Sequence, residues 1–432
     1  MGRMDVNPFS AEFQQCPFPH FRRLQAETPV YHVPGTHMHF VTRHQDMVPL
    51  LRDTTTFSNA FQTGTMPNSE VADRLRAVMK KGWPQVPTML TVDPPLHTRF
   101  RGTVAPYFTP RRIAELRPEV EQIVNRLIDS FVDGETMNFV ARFAVPLPIE
   151  AIAKILNVPA DRMAHFKRWS DAHIISIGAM PTDDERVEAQ EHIVEFQHYF
   201  AEQLEQRAAA ERQSDLLSDL AHARIDDDAI GKDQGGNDAG GNDAGGKRPL
   251  TMAEMLGITS QLLVAGNETT TKALTEGMRL LAENPDQWER LRADPTGRAP
   301  LVTEEVLRLA TPTQGMFRVV TKDTEVAGCP VKAGEWLVLS YAAANRDVAV
   351  FGNDPDAFDP DRPDLKDHLA FGKGIHFCLG APLSRVEMQV AFELLARRLS
   401  SIELLESNDF AYHPSFMLRG LKKLDVRIRL AS

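Results

Sequence analysis

The chain has 432 residues, 42% of them apolar, and 48 basic against 59 acidic side chains give it a net charge of −11. That balance favours neither nucleic acid nor an anionic membrane as a partner, and the length suffices for a large buried core. Three scattered cysteines, Cys16, Cys329 and Cys378, exclude a disulfide framework, a paired-cysteine zinc site and a four-cysteine iron–sulfur cluster.

The N-terminal stretch "MGRMDVNPFSAEFQQ" has no apolar run able to act as a signal or anchor, and no run of eighteen apolar residues occurs later. A soluble protein in a reducing, cytoplasmic setting is expected. Residues 29–46, "PVYHVPGTHMHFVTRHQD", predict two short strands around a Pro-Gly turn. Amphipathic spacing predicts helices over 111–132, 149–156 and 185–208.

The stretch 231–248, "GKDQGGNDAGGNDAGGKR", repeats Gly-Gly-Asn-Asp-Ala without a large apolar residue. Calcium-binding glycine–aspartate repeats recur every nine residues, and this one recurs every five, so it reads as a flexible loop within a single domain spanning 1–432.

Met252 to Glu283 follows, with Met255, Leu256, Thr259, Leu262, Leu263, Gly266, Thr270, Ala273 and Leu274 at helical spacing. At ~1.5 Å per residue this helix would extend about 48 Å. Its centre, "AGNETTT" (265–271), is built of weak helix formers, and such a local conflict within a core helix points to strain or function. Residues 325–342 predict a hairpin with Gly334 near its tip, and short strands are expected beyond Ser401. The fold class is mainly α with small β-sheets.

The stretch "AFGKGIHFCLG" (370–380) holds Cys378 among three glycines. Glycines at these offsets arise by chance at roughly 3 in 10,000 positions. The run that follows carries an apolar stripe at Leu383, Val386, Val390 and Leu394, placing the thiol at a helix start, where free N–H groups favour thiolate. A catalytic nucleophile would need a base from another element, and His376 sits on the same turn. Zinc would need more ligands than the region supplies. Haem needs one axial thiolate, a thin backbone beneath a flat ring and an apolar shield. Glycines 372, 374 and 380, with Phe371, meet those needs.

The pattern Phe371-Gly372-x-Gly374-x-His376-x-Cys378-x-Gly380 resembles the haem-binding signature of the cytochrome P450 monooxygenases, and further family motifs follow in order along nearly the whole chain. "AGNETT" (265–270) is similar to the acid–alcohol stretch of the long central helix, and "EEVLR" (304–308) to the Glu-x-x-Arg motif. "AFDPDR" (357–362) resembles the meander, "DPPLHTRFR" (93–101) a propionate-binding segment, and "GMFRVVTKDTEVAG" (315–328) a strand bearing another propionate partner. One departure is Val348, where the family commonly has proline.

The resemblance implies a helical prism around a buried haem b (iron protoporphyrin IX), ligated by Cys378. It implies that His97, Arg101, Arg318 and His376 neutralise the propionates, that Phe371, Gly372 and Gly380 shape the turn, and that Ala265 and Gly266 leave room above the ring. Glu268 and Thr269 would relay protons to dioxygen, and Glu305, Arg308 and Arg362 would form a structural ion-pair network. Leu262, Leu263, Met316, Phe317, Phe416 and Met417 become candidates for the wall of a hydrophobic substrate's pocket, and each reads equally well as core.

Electrons are expected from NAD(P)H through a reductase and a separate ferredoxin, because no flavin domain follows the last strands. Lys373 and Arg385, with Arg111 and Arg112 by resemblance, would offer that ferredoxin a basic face. Two other readings stand beside this one: a peroxide-driven oxygenase, which would be expected to lack the acid–alcohol pair, and a haem-based sensor, which would need neither that pair nor a reductase.

Overall fold

The computed structural model describes residues 6–60, 70–178, 181–226, 246–415 and 417–431. None of its described helices is long and apolar enough to cross a membrane. The chain folds into two compact units interleaved in sequence. The first comprises Met1–Ser58, Ile113–Pro148 and Glu268–Ser432, the second Asn59–Arg112 and Ile149–Asn267.

In the first unit, the helices Pro110–Asp129, Pro295–Ala310 and Ala381–Arg398 bury their apolar stripes in one core. Val124, Val306 and Leu395 are fully enclosed there. The later part of the long helix joins this core at Gly277, where a Cβ would run into the Phe392 ring. A five-stranded sheet runs in the order Val30–His32, Met38–Val41, Trp336–Leu339, Met316–Val320, Phe57–Ser58. Its pairs are antiparallel except the second with the third, and Arg318 lies opposite Leu337. A second sheet joins Leu399–Leu404, Asp425–Leu430 and Thr136–Asn138.

The hairpin expected at 325–342 is differently built. Thr324–Val326 pairs with Cys329–Val331 across Ala327 and Gly328, both at positive φ. Gly334, at φ +87°, instead turns the chain into Trp336–Leu339, which joins the large sheet. The apolar alternation was visible in the sequence, whereas the choice of partner strand depends on the sheet that buries it.

In the second unit, the helices Met163–Gly178 and Asp183–Ala208 pack through an aromatic cluster of Trp169, Phe196, Tyr199 and Phe200. The second of these helices starts at a capping box, in which Thr182 and Glu185 satisfy each other's backbone N–H groups. Arg224–Asp226 pairs with Lys247–Pro249, so the last residues of the glycine–aspartate stretch are ordered strand. Arg248 is buried and grips Glu254 with bonds of 2.7 and 2.8 Å. The repeat itself lies outside the described residues.

The long helix runs unbroken from Met252 to Glu283. The weak formers in its centre do not interrupt it, because tertiary bonds hold them. Asn267 Nδ2 donates to Ser170 Oγ at 2.8 Å within the second unit. In the first, Thr270 Oγ1 donates to Ser384 Oγ at 3.2 Å and Thr271 Oγ1 to the Ala144 carbonyl at 3.0 Å.

Candidate functional site

Within the first unit, the turn from Phe371 to Gly380 is shaped by backbone that only glycine adopts easily. Gly372 and Gly374 have φ of +65° and +76°, and a Cβ on Gly374 would collide with the Leu51 carbonyl oxygen. The Cys378 N–H donates to the Phe371 carbonyl at 2.9 Å, closing the turn on itself. Gly380 caps the helix Ala381–Arg398, so the half-buried thiol stands just ahead of its positive end.

Phe371 is held from behind. The Arg385 guanidinium lies 4.6 Å from its ring centroid and donates to both Glu304 carboxylate oxygens, at 2.6 and 2.9 Å. The His368 ring sits 3.0 Å from the same carboxylate. Burial would raise the pKa of Glu304, but Arg385 and His368 outweigh it and hold the carboxyl down at about 2. Arg385, partly exposed, is thus tied to Glu304 and stacked on Phe371 beside the cysteine turn. Lys373 is half-buried in the turn, with Ile375 and Phe377 exposed beside it.

Arg318 is buried on the strand Met316–Val320 and donates to the Phe317 carbonyl at 2.7 Å. It also hydrogen-bonds the phenol of Tyr341. Burial pushes that phenol up, and Arg318 offsets part of the shift. The Tyr341 hydroxyl lies 3.2 Å from where a Cβ on Gly372 would stand, so Tyr341 links Arg318 to the cysteine turn. His376 is half-buried in the same turn.

Glu305 and Arg308 are completely buried and form two parallel bonds of 2.7 Å. Arg308 also donates to the carbonyls of Asn345, Pro355 and Ala357. Arg362 meets Glu305 at 3.2 Å, and the Asp359 N–H donates to the same carboxylate.

Within the second unit, His97 is buried in the helix Leu96–Val104, with Arg101 one turn further on. Burial pushes the His97 imidazole down, Arg101 adds to that, and Asp93 opposes both. Ala265 is exposed on the long helix, and a Cβ on Gly266 would press on Ile152 at 3.2 Å. Leu262 and Leu263 are buried.

In the first unit, Glu268 and Thr269 are half-buried neighbours. Met316, Phe317 and Met417 line a crevice with Phe40 and Gln314. Phe416 lies outside the described residues.

Three further side chains at or beside these groups have little or no signature in the sequence. Tyr341 has no local signature, since its partners are remote in sequence. Lys272 stands at i+4 from Glu268, a spacing that alone suggests an ion pair. Glu387 is a carboxylate on the stripe of Leu383 and Val390, and that intrusion was the available signal.

Glu387 is fully buried, and neither of its oxygens accepts a well-formed hydrogen bond among the described residues. Burial pushes its carboxyl up to about 8, with a small opposing contribution from the Thr270 hydroxyl. Between the ordinary carboxylate range and pH 8 the folded chain therefore keeps a proton that the unfolded chain has lost. Stability consequently falls as pH rises through that window and levels off above it. Glu387→Gln should remove this slope, gaining on the parent progressively from pH 5 to pH 8, by on the order of 4 kcal/mol at most. Denaturant unfolding at both pH values measures it, and parallel pH profiles would show that Glu387 is not held neutral.

A half-buried thiol on a thin glycine turn, at the head of a helix and backed by a buried arginine–tyrosine pair, is a donor set that suits a haem-thiolate protein. The profile of the Cytochrome P450 family matches residues 300–418. The chain is 33% identical over 434 residues to the cytochrome P450 monooxygenase PikC of Streptomyces venezuelae, covering 99% of this chain and 94% of that one. It is 30% identical over 436 residues to linalool 8-monooxygenase of Pseudomonas putida, covering 99% of each. The solved structure of cytochrome P450 CYP109Q5 from Chondromyces apiculatus matches it with a TM-score of 0.80, at 33% identity over 99% of both chains. This chain belongs to the cytochrome P450 family. It is a haem-dependent monooxygenase that takes dioxygen, a small-molecule substrate and electrons from redox partners.

Proposed function

We propose that the enzyme inserts one oxygen atom of dioxygen into a hydrophobic small molecule, with electrons passing from NAD(P)H through a reductase and a separate ferredoxin. The whole chain, 1–432, acts as one catalytic domain. Bound haem supplies the one-electron and dioxygen chemistry, and the protein supplies the ligand, the charge balance and the protons. Cys378 would hold the iron, and Phe371, Gly372 and Gly380 would shape the turn beneath the ring. Arg318 and His376 would neutralise propionate charge, and the resemblance gives His97 and Arg101 the same task. Support comes from the burial of Arg318 and His97 in a chain whose relatives are monooxygenases.

The observation that carries the dioxygen reading is the Glu268-Thr269 pair, on a helix turn fixed by the side chains of Thr270 and Thr271. A peroxide-driven enzyme or a sensor would need no such pair. With haem bound, Thr269 would offer its hydroxyl to the reacting oxygen, and Glu268 would supply that side with protons. The apolar character of the substrate is supported by Met316, Phe317 and Met417 along the crevice and by a relative named for its action on linalool.

Thr269→Ala should consume NAD(P)H at a rate near the parent's while diverting several-fold more of it into hydrogen peroxide. The measurement is product and peroxide formed per reductant, with ferredoxin and reductase present. An unchanged ratio overturns the relay role. Lys373 supports docking of an acidic ferredoxin at the cysteine turn, where Ile375 and Phe377 add apolar contact. Lys373→Glu should slow reduction by ferredoxin at low salt and flatten its salt dependence, leaving peroxide-supported turnover intact. Equal reduction rates across a salt titration would move the docking face elsewhere.

A further inference from the structure

One stripe of the long helix carries Glu268, Lys272, Glu276, Arg279 and Glu283, charges of alternating sign about one turn apart. The stripe lies against Phe410, Tyr412 and Gly420 of the C-terminal segment. Tyr412 donates its hydroxyl to Glu276 and accepts from Arg279 Nη1 at 2.8 Å. The Arg279 guanidinium also lies 5.2 Å from the Phe410 ring centroid and donates to Glu283 at 2.9 Å. Gly420 leaves a notch in this wall, where a Cβ would run into the Lys272 side chain.

Lys272 fills that notch, only 6% exposed, and its ammonium is ion-paired with Glu268. A buried ammonium that loses its counter-ion is strongly unfavourable. Glu276, the next carboxylate along the stripe, is already engaged by Tyr412 and Arg279. Lys272 therefore depends on Glu268. The dependence fixes where the carboxylate rests, on the side of the helix facing Gly420 and His413, which feels the charge of both groups. Thr269 projects about 100° further round the helix. A carboxylate held on Lys272 must leave it to serve the Thr269 side.

We propose that Lys272 is a positioning residue that parks Glu268 against the C-terminal wall and so limits how often the carboxylate delivers a proton. The proposal rests on the relay reading of Glu268. Lys272→Met keeps most of the side-chain volume and removes the cation. Lys272→Arg keeps the cation. Gly420→Ala crowds the Lys272 chain without touching any charge.

In the haem-loaded protein, Lys272→Met should lower the solvent deuterium isotope effect on kcat toward one, with KM little changed. Gly420→Ala should move it the same way, and Lys272→Arg should restore the parent value. A double-mutant cycle of Glu268→Gln with Lys272→Met, read by thermal unfolding, should show that the two residues are coupled in stability.

Glu268→Gln alone should lower kcat by about 100-fold, as loss of a general acid does. If it leaves kcat and the isotope effect unchanged, the relay reading itself fails. If Glu268→Gln acts as expected but Lys272→Met and Gly420→Ala keep the parent isotope effect, Lys272 is a purely structural partner and the proposal is overturned. Additive thermal effects in the cycle would overturn it as well.

Discussion

Cys378→Ser should abolish monooxygenation and remove the strongly red-shifted Soret band that reduced, carbon monoxide-bound haem shows under thiolate ligation. The sulfur is the one soft anionic donor that the cysteine turn offers. The N–H of Cys378 closes the turn on Phe371, and Gly380 opens the helix whose positive end favours the thiolate. A serine hydroxyl has nearly the same shape, so the turn should persist while electron donation to iron is lost. Absorption spectra of the reduced carbonyl complex, recorded beside circular dichroism of the same sample, separate ligand loss from unfolding. A variant that keeps both its fold and the shifted band would place the iron ligand elsewhere.

Glu305→Gln should destabilise the protein by about 3–5 kcal/mol, the usual penalty for stranding a buried charge. Two guanidinium groups converge on this carboxylate, and Arg308 and Glu305 are both wholly enclosed. Arg308 also ties the helix Pro295–Ala310 to the segment 345–357 through three carbonyls, so the loss should spread to that segment. Arg308→Lys should fare little better, because an ammonium cannot make the paired bonds of a guanidinium fork and still reach those carbonyls. Denaturant unfolding with haem retention as a second readout measures both. A loss below about 1 kcal/mol would place this network among pairs that contribute little to stability.

The two experiments probe different levels of organisation. Cys378 acts through chemistry that a short stretch of sequence encodes. Glu305 acts through an arrangement that needs Asp359, Arg362 and the carbonyl of Pro355 brought to one point. Lys272 is intermediate, since its pairing with Glu268 follows from helical spacing, but its burial depends on the notch at Gly420, far along the chain.

By itself the sequence determined the features that depend on local pattern. The long helix was bounded at Met252 and Glu283 by its apolar period, and the cysteine turn was readable from the fixed offsets of Phe371, Gly372, Gly374, His376, Cys378 and Gly380. The family was legible too, because its motifs are short and ordered. Tertiary structure decided everything that required remote groups to meet. It kept "AGNETTT" helical through bonds to Ser384 and Ala144. It sent Trp336–Leu339 into the large sheet and left Gly334 outside the hairpin tip. It paired Arg385 with Glu304, and it buried Glu387 away from water. The physical reason is common to all of these. Backbone propensity and periodicity act over a few residues, whereas desolvation and ion pairing depend on which distant groups share a site, and no local pattern records that.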